Sequence, residues 1–165
     1  MQNPFLMHPT VLQTAWKDLR RSVASATTLT EKLKMVSDFW KHAPTSKPYL
    51  DYLAPQTWPD AWTLLDSRLL DNNSISLGMF YTLLLCESRE FNADRIRLAM
   101  IRQPSHAWEG LVCIIDDQWV IGYDRDRVCE LASIPAMLVM HMYKYDLQKR
   151  CVKELLIDNT AMQPA

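Results

Sequence analysis

Between residues 9 and 25 the apolar side chains Val11, Leu12, Ala15, Trp16, Leu19 and Val23 recur at helical spacing, with Lys17, Asp18, Arg20 and Arg21 between them. That pattern predicts an amphipathic helix ending near Ser25. Thr28 followed three residues later by Glu31 is a capping box, and Leu29, Leu33, Val36 and Trp40 line one face of a second helix. The stretch HAPTSKPYLDYLAP is too rich in proline to extend it. Thr57, Pro59 and Asp60 then supply the cap and first-turn chemistry of a short third helix carrying Trp62, Leu64 and Leu65. A fourth helix, from about Ser74 to Ser88, follows the polar knot Asp71, Asn72, Asn73 and Ser74 and is the most apolar of the set.

Past Arg89 the period changes from helical to alternating. In RIRLAMI, Ile96, Leu98 and Met100 alternate with Arg95, Arg97 and Ala99, which predicts a half-buried strand with one apolar and one largely basic face. WEGLVCII and QWVIGYD are two further strands, and the short Asp116–Asp117 connection between them suits an antiparallel hairpin. A weaker strand is expected at Arg127 to Leu131. Ser133 and Pro135 can then open a C-terminal helix over about 134–157. Helices, then a meander, then a helix describe an α+β domain spanning 1–165, with a helical part over 8–66 and a core over about 57–131.

Composition limits the functions open to such a fold. The 165 residues are 48% apolar and 22% charged, with a net charge of −1, which gives no general pull towards nucleic acid or an anionic membrane. Arg95, Arg97 and Arg102 along one strand read as a solvated face rather than a nucleic-acid surface. MQNPFLMHPTVLQTAWKDLRR lacks the basic start and apolar centre of a secretion signal, and no apolar run approaches a membrane span, so a cytoplasmic or particle-borne location is expected. The cysteines Cys86, Cys113, Cys129 and Cys151 form no CxxC pair and sit in apolar segments, where a thiol behaves as a small hydrophobe. His8, His42, His106 and His141 are scattered without ligand spacing, and Gly78, Gly110 and Gly122 make no phosphate loop, so neither metal nor cofactor is expected.

A long apolar helix opening beside polar residues and followed by three strands, with SHAWEG at the second strand and QWVIGYD at the third, resembles the transglutaminase-like and papain-like cysteine peptidase superfamily. The resemblance matches His106 to the family histidine, Ala107 and Trp108 to its neighbours, Trp119 to the strand tryptophan and Asp124 to the acid. TWPDAW is similar to a lead-in of bacterial and bacteriophage members, and the whole likeness covers roughly residues 57 to 125. It implies a cysteine at the helix N-terminus, whose thiolate the helix dipole and the imidazole would stabilise. Here that place falls on Ser74, with Gly78 four positions on, or on Asn72, with Ser76 four positions on; neither is a cysteine. Glu109 lies one position early, and Asp124 is five rather than four residues beyond Trp119.

A hydroxyl cannot be held ionised as a thiol can, so a serine needs a well-placed base and an oxyanion hole. Capping alone accounts for all four residues of the knot. The resemblance therefore implies a degenerate, non-catalytic interaction or assembly protein, such as a bacteriophage head, neck, tail or baseplate component bound to other protein subunits. The alternative is a hydrolase or acyl transferase using Ser74, His106 and Asp124. IPAMLVMHMY adds a candidate partner face, since a helix there would be apolar nearly all round and would present Met137, Met140 and Tyr143.

Overall fold

The computed structural model describes residues 2–47, 50–67 and 70–157. In chain order the helices are α1 (Pro9–Ser25), α2 (Leu29–Trp40), α3 (Ala61–Ser67) and α4 (Asn72–Leu84). The strands are β1 (Ile96–Gln103), β2 (Trp108–Ile115), β3 (Trp119–Asp124), β4 (Arg127–Glu130), β5 (Leu138–Asp146) and β6 (Cys151–Leu155). The strands form one antiparallel sheet in the order β4-β3-β2-β1-β5-β6, and the helices cover one of its faces.

Local chemistry sets the helix starts. Thr28 and Glu31 close the expected capping box, the Glu31 N–H donating to Thr28 Oγ1 at 3.2 Å and the Thr28 N–H to Glu31 Oε2 at 3.4 Å. At α3 the cap is Asp60, which accepts from the Thr63 N–H at 2.8 Å; Thr57 belongs to a separate 3-10 turn, Pro55–Thr57. Asp71 caps α4, accepting from the Ser74 N–H at 2.6 Å.

Every residue of α4 from Ser74 to Leu83 is buried, so this helix is the centre of the molecule. One hydroxyl ties it to its neighbours. Thr82 Oγ1 accepts from the indole N–H of Trp16 in α1 at 2.8 Å and of Trp40 in α2 at 2.9 Å, and it donates to the Gly78 carbonyl at 2.7 Å. All three groups lie in the dry interior, where each would otherwise be unpaired. Gly78 makes this approach possible, because a Cβ there would lie 2.4 Å from the Trp40 ring.

The sheet has two apolar faces. Ile96, Leu98, Met100, Leu111, Cys113, Ile115 and Ile121 join the main core beneath the helices. Ala99, Ile101, Val112, Ile114, Val120 and Met142 form a smaller cluster on the other side, with Ile134 packed among them. The second face of β1 is thus less basic than its sequence alternation suggests. Arg95 and Arg97 sit at its end, where they pair with Asp116 and Asp117 of the β2–β3 turn.

The C-terminal helix expected over 134–157 is instead the β5–β6 hairpin. Its turn is closed by Asp146 Oδ1, which accepts from the N–H groups of Gln148 and Lys149, and by Arg150 at φ 51°. Tyr143 and Tyr145 face the main core at strand period, and β5 pairs with the edge of β1 that would otherwise stay open. The strong helix formers Met, Leu and Lys are overridden by that pairing.

Two stability measurements follow from these contacts. Thr82→Val leaves two buried indole donors unpaired, and at roughly 1–3 kcal/mol for each orphaned group the urea unfolding free energy should fall by about 2–5 kcal/mol. The Arg95 side chain donates to both Asp116 oxygens, at 2.8 and 2.7 Å, and holds that carboxyl below its ordinary pKa against the opposing pull of burial. This contribution is complete above the unfolded-state value of about 3.9 and is lost as pH falls through the lower folded-state value. Asp116→Asn should therefore flatten the acid limb of the stability-versus-pH curve measured by denaturant titration.

Candidate functional site

The first turn of α4 faces two ways. Asn73, Ser76 and Leu77 follow the i, i+3, i+4 spacing of one stripe, and that stripe looks at the sheet. Asn73 Oδ1 accepts from the Leu111 N–H of β2 at 2.9 Å. Ser76 is pressed against Gly122 of β3, where an added Cβ would lie 2.4 Å from Ser76 Oγ. Gly122 is required twice over, by that approach and by its φ of +90°.

Ser74 belongs to the other stripe. It precedes Gly78 by one turn and Thr82 by two, and both of those residues touch Trp40. The Ser74 side chain is buried, while Asn72 at the first position is exposed. The residue that α4 presents to β2 is therefore Asn73. Sequence reasoning, which looked for a small residue four positions on, fell on Ser74 and Asn72 and passed over Asn73, whose fourth neighbour is Leu77; its spacing to Ser76 and Leu77 is the signal that marks the sheet-facing stripe.

His106 lies outside the strand that follows it. Pro104 opens a 3-10 turn, Pro104–His106, and Ala107 reverses the chain at φ 50° before β2 begins at Trp108. His106 is exposed, with its Nδ1 2.8 Å from Ser105 Oγ. Within β2, Leu111, Cys113 and Ile115 face the helices, whereas Trp108 packs edge-on against Tyr123 on the second face, with ring centroids 5.0 Å apart.

Asp124 closes β3. Trp119 and Ile121 face the helices and Val120 the second face, but Tyr123 also faces the second side, so the pleat changes phase at Gly122. The Asp124 carboxylate serves the β3–β4 turn, accepting from the Asp126 N–H at 3.0 Å and from Arg127 Nε at 2.7 Å. Among the described residues no hydrogen bond joins any two of Ser74, His106 and Asp124.

None of the four thiols lies at the head of α4. Cys86 is buried beyond the helix's C-terminal end, Cys113 is buried in mid-β2, and Cys129 and Cys151 lie in the outer strands. Burial pushes the Cys113 and Cys129 thiols up, away from the thiolate a nucleophile needs. Among the described residues no three His, Cys, Asp or Glu side chains converge as metal ligands would, and no helix is long and apolar enough to cross a membrane.

Of the candidate partner residues, Met140 is half-exposed on β5 and Met137 packs partly against the second-face cluster. Tyr143, expected on the partner face, lies inside instead. It is fully buried under the helices, its hydroxyl donating to the Tyr52 carbonyl at 2.7 Å and its ring 4.8 Å from that of Trp58, because strand period turns it inward. The exposed neighbour of Met140 is Leu138.

A central helix laid on an antiparallel sheet, with its N-terminus against the strand after a His-Ala-Trp turn, matches the transglutaminase-like fold. Solved structures of similar fold include LapG of Legionella pneumophila. The calcium-bound form of that protein matches with a TM-score of 0.65 at 12% identity, over 86% of this chain and 78% of LapG. A second LapG structure matches at 0.64 and 12% identity over 94% and 85%, and an EGTA-treated one at 0.63 and 12% over 86% and 76%. No family model matches the sequence, and no curated protein does.

If the Asn73 carboxamide fastens α4 to β2, Asn73→Ala should lower stability by roughly 1–3 kcal/mol through the orphaned Leu111 N–H. Asn73→Asp keeps an acceptor and should restore most of that loss in thermal unfolding.

Proposed function

We propose that this chain is a non-catalytic interaction protein on a transglutaminase-like scaffold, acting in the assembly of a bacteriophage particle within the host cell or the virion. The observation that carries the first part is Asn73. The side chain that α4 offers to β2 is a carboxamide already bound to the Leu111 N–H, and a carboxamide neither ionises nor attacks a carbonyl. Of the two positions that the resemblance offers, Ser74 is buried and Asn72 exposed. His106 and Asp124 are each engaged locally, with Ser105 and with Arg127.

The assembly part rests on the likeness of TWPDAW to a lead-in of phage-encoded members. Binding to nucleic acid is disfavoured by the pairing of Arg95, Arg97 and Arg102 with Asp116, Asp117 and Glu109, which leaves little unbalanced positive charge along β1. A protein partner suits the apolar rim of β5, where Leu138 and Met140 are exposed.

The test combines labelling with capture. A fluorophosphonate and an iodoacetamide probe should leave Ser74 and the head of α4 unmodified. Ser74→Ala and His106→Ala should retain the native complex on copurification, and Met140→Glu should lose it while keeping its circular dichroism spectrum. Labelling of Ser74 that His106→Ala abolishes would establish a working nucleophile and overturn the binding-only reading.

A further inference from the structure

At the far end of α4 from the site, a cavity of about 350 Å³ opens between Leu84 and Leu85, Arg89, the segment Phe91 to Ala93, and Tyr145 and Leu147 of the β5–β6 hairpin. That volume lies within the range of small-molecule sites. Leu84, Phe91, Ala93 and Tyr145 supply its apolar walls, and Leu147, 70% exposed, stands at its rim. Its charged lining is all of one sign: Arg20 and Arg89.

Arg21, Arg95, Arg97, Arg102 and Arg127 each lie against a carboxylate. Among the described residues Arg20, Arg89, Arg125 and Arg150 do not, and of these four Arg20 and Arg89 line this cavity. The Arg20 guanidinium is stacked 4.2 Å from the Trp16 ring centre and 5.5 Å from that of Trp62, its Nε is buried without a hydrogen bond, and its Nη1 reaches only the Leu85 carbonyl at 3.3 Å. Glu87, whose charge acts on Arg20, lies 3.6 Å from Arg21 Nε. Burial lowers the Arg20 pKa despite the attraction of Glu87, the mark of a cation that has lost water without gaining an anion. Arg89 is held at φ 52° by a turn in which its N–H donates to the Cys86 carbonyl at 3.0 Å, a conformation that an arginine seldom adopts.

Phe91 is already covered on one side by Arg95, 5.0 Å from its ring centre, and Arg95 is committed to Asp116. A carboxylate fits a guanidinium fork in two parallel hydrogen bonds, and a ring fits walls made of Tyr145 and Leu84.

We propose that this cavity binds an aryl carboxylate, the carboxylate lying between Arg20 and Arg89 and the ring against Leu84 and Tyr145. The site lies apart from the head of α4 and is independent of whether that end is catalytic. Titration of the full chain with 3-phenylpropionate, followed by calorimetry and by amide chemical shifts, tests it. Saturable binding is expected with a Kd of about 1 mM or lower, at least ~10-fold tighter than for the uncharged 3-phenylpropionamide. Inorganic phosphate, which has charge without a ring, should not compete. Arg89→Gln, at an exposed position with no side-chain partner among the described residues, should keep the fold and weaken binding by at least about fivefold. No saturation, equal binding of the amide, competition by phosphate, or unchanged affinity in Arg89→Gln would each overturn the assignment.

Discussion

The Thr82 hydroxyl is the point on which the helical layer depends. It has one proton to give and two lone pairs to offer, and all three are used: by the Gly78 carbonyl and by the indoles of Trp16 and Trp40. Two tryptophans bring much of the core's apolar area, but each carries an N–H that cannot be buried unpaired. A single acceptor on α4 satisfies both, so α1 and α2 can close on the same helix without water between them. The hydroxyl works only because Gly78 leaves room for the Trp40 ring one turn earlier.

Clamping α4 from the helical side fixes which residues it shows to the sheet. With Gly78 and Thr82 turned to α2, the opposite stripe must carry Asn73 and Ser76, and these meet Leu111 and Gly122. The bulge at Gly122 lets β3 pass close under Ser76, and it changes the pleat so that Tyr123 joins Trp108 on the second face. The position at the head of the helix is thus set by packing about one to two and a half turns away, at Gly78 and Thr82, and the residue it selects is an amide rather than a thiol.

That selection separates scaffold from chemistry. The transglutaminase-like fold brings a helix terminus, a following strand and a third strand together, an arrangement that can stabilise a thiolate and orient a base. In this chain the same elements are held by a carboxamide-to-backbone bond, a Ser105–His106 contact and an Asp124–Arg127 pair. Each is a local structural contact, and burial and strand pairing hold the elements together around them.

The order of elements as far as β4 was legible in the sequence, because periodicity and capping are local. Thr28 and Glu31 cap α2 whatever lies around them, and alternation in RIRLAMI makes a strand with one face inward. The type of residue at the site was legible too, since the absence of a cysteine in the polar knot needs no coordinates. Which member of that knot faces the sheet was not, because Asp71, Asn72, Asn73 and Ser74 cap equally well and only the contacts of Gly78 and Thr82 with Trp40 fix the rotation of α4. The last two strands were likewise decided by tertiary structure: β1 had an open edge, and pairing it outweighed the helix propensity of Met137 to Leu156. Sequence by itself determined what could form locally; long-range packing decided which way each element turned, because only partners distant in the chain distinguish one face of a helix or strand from the other.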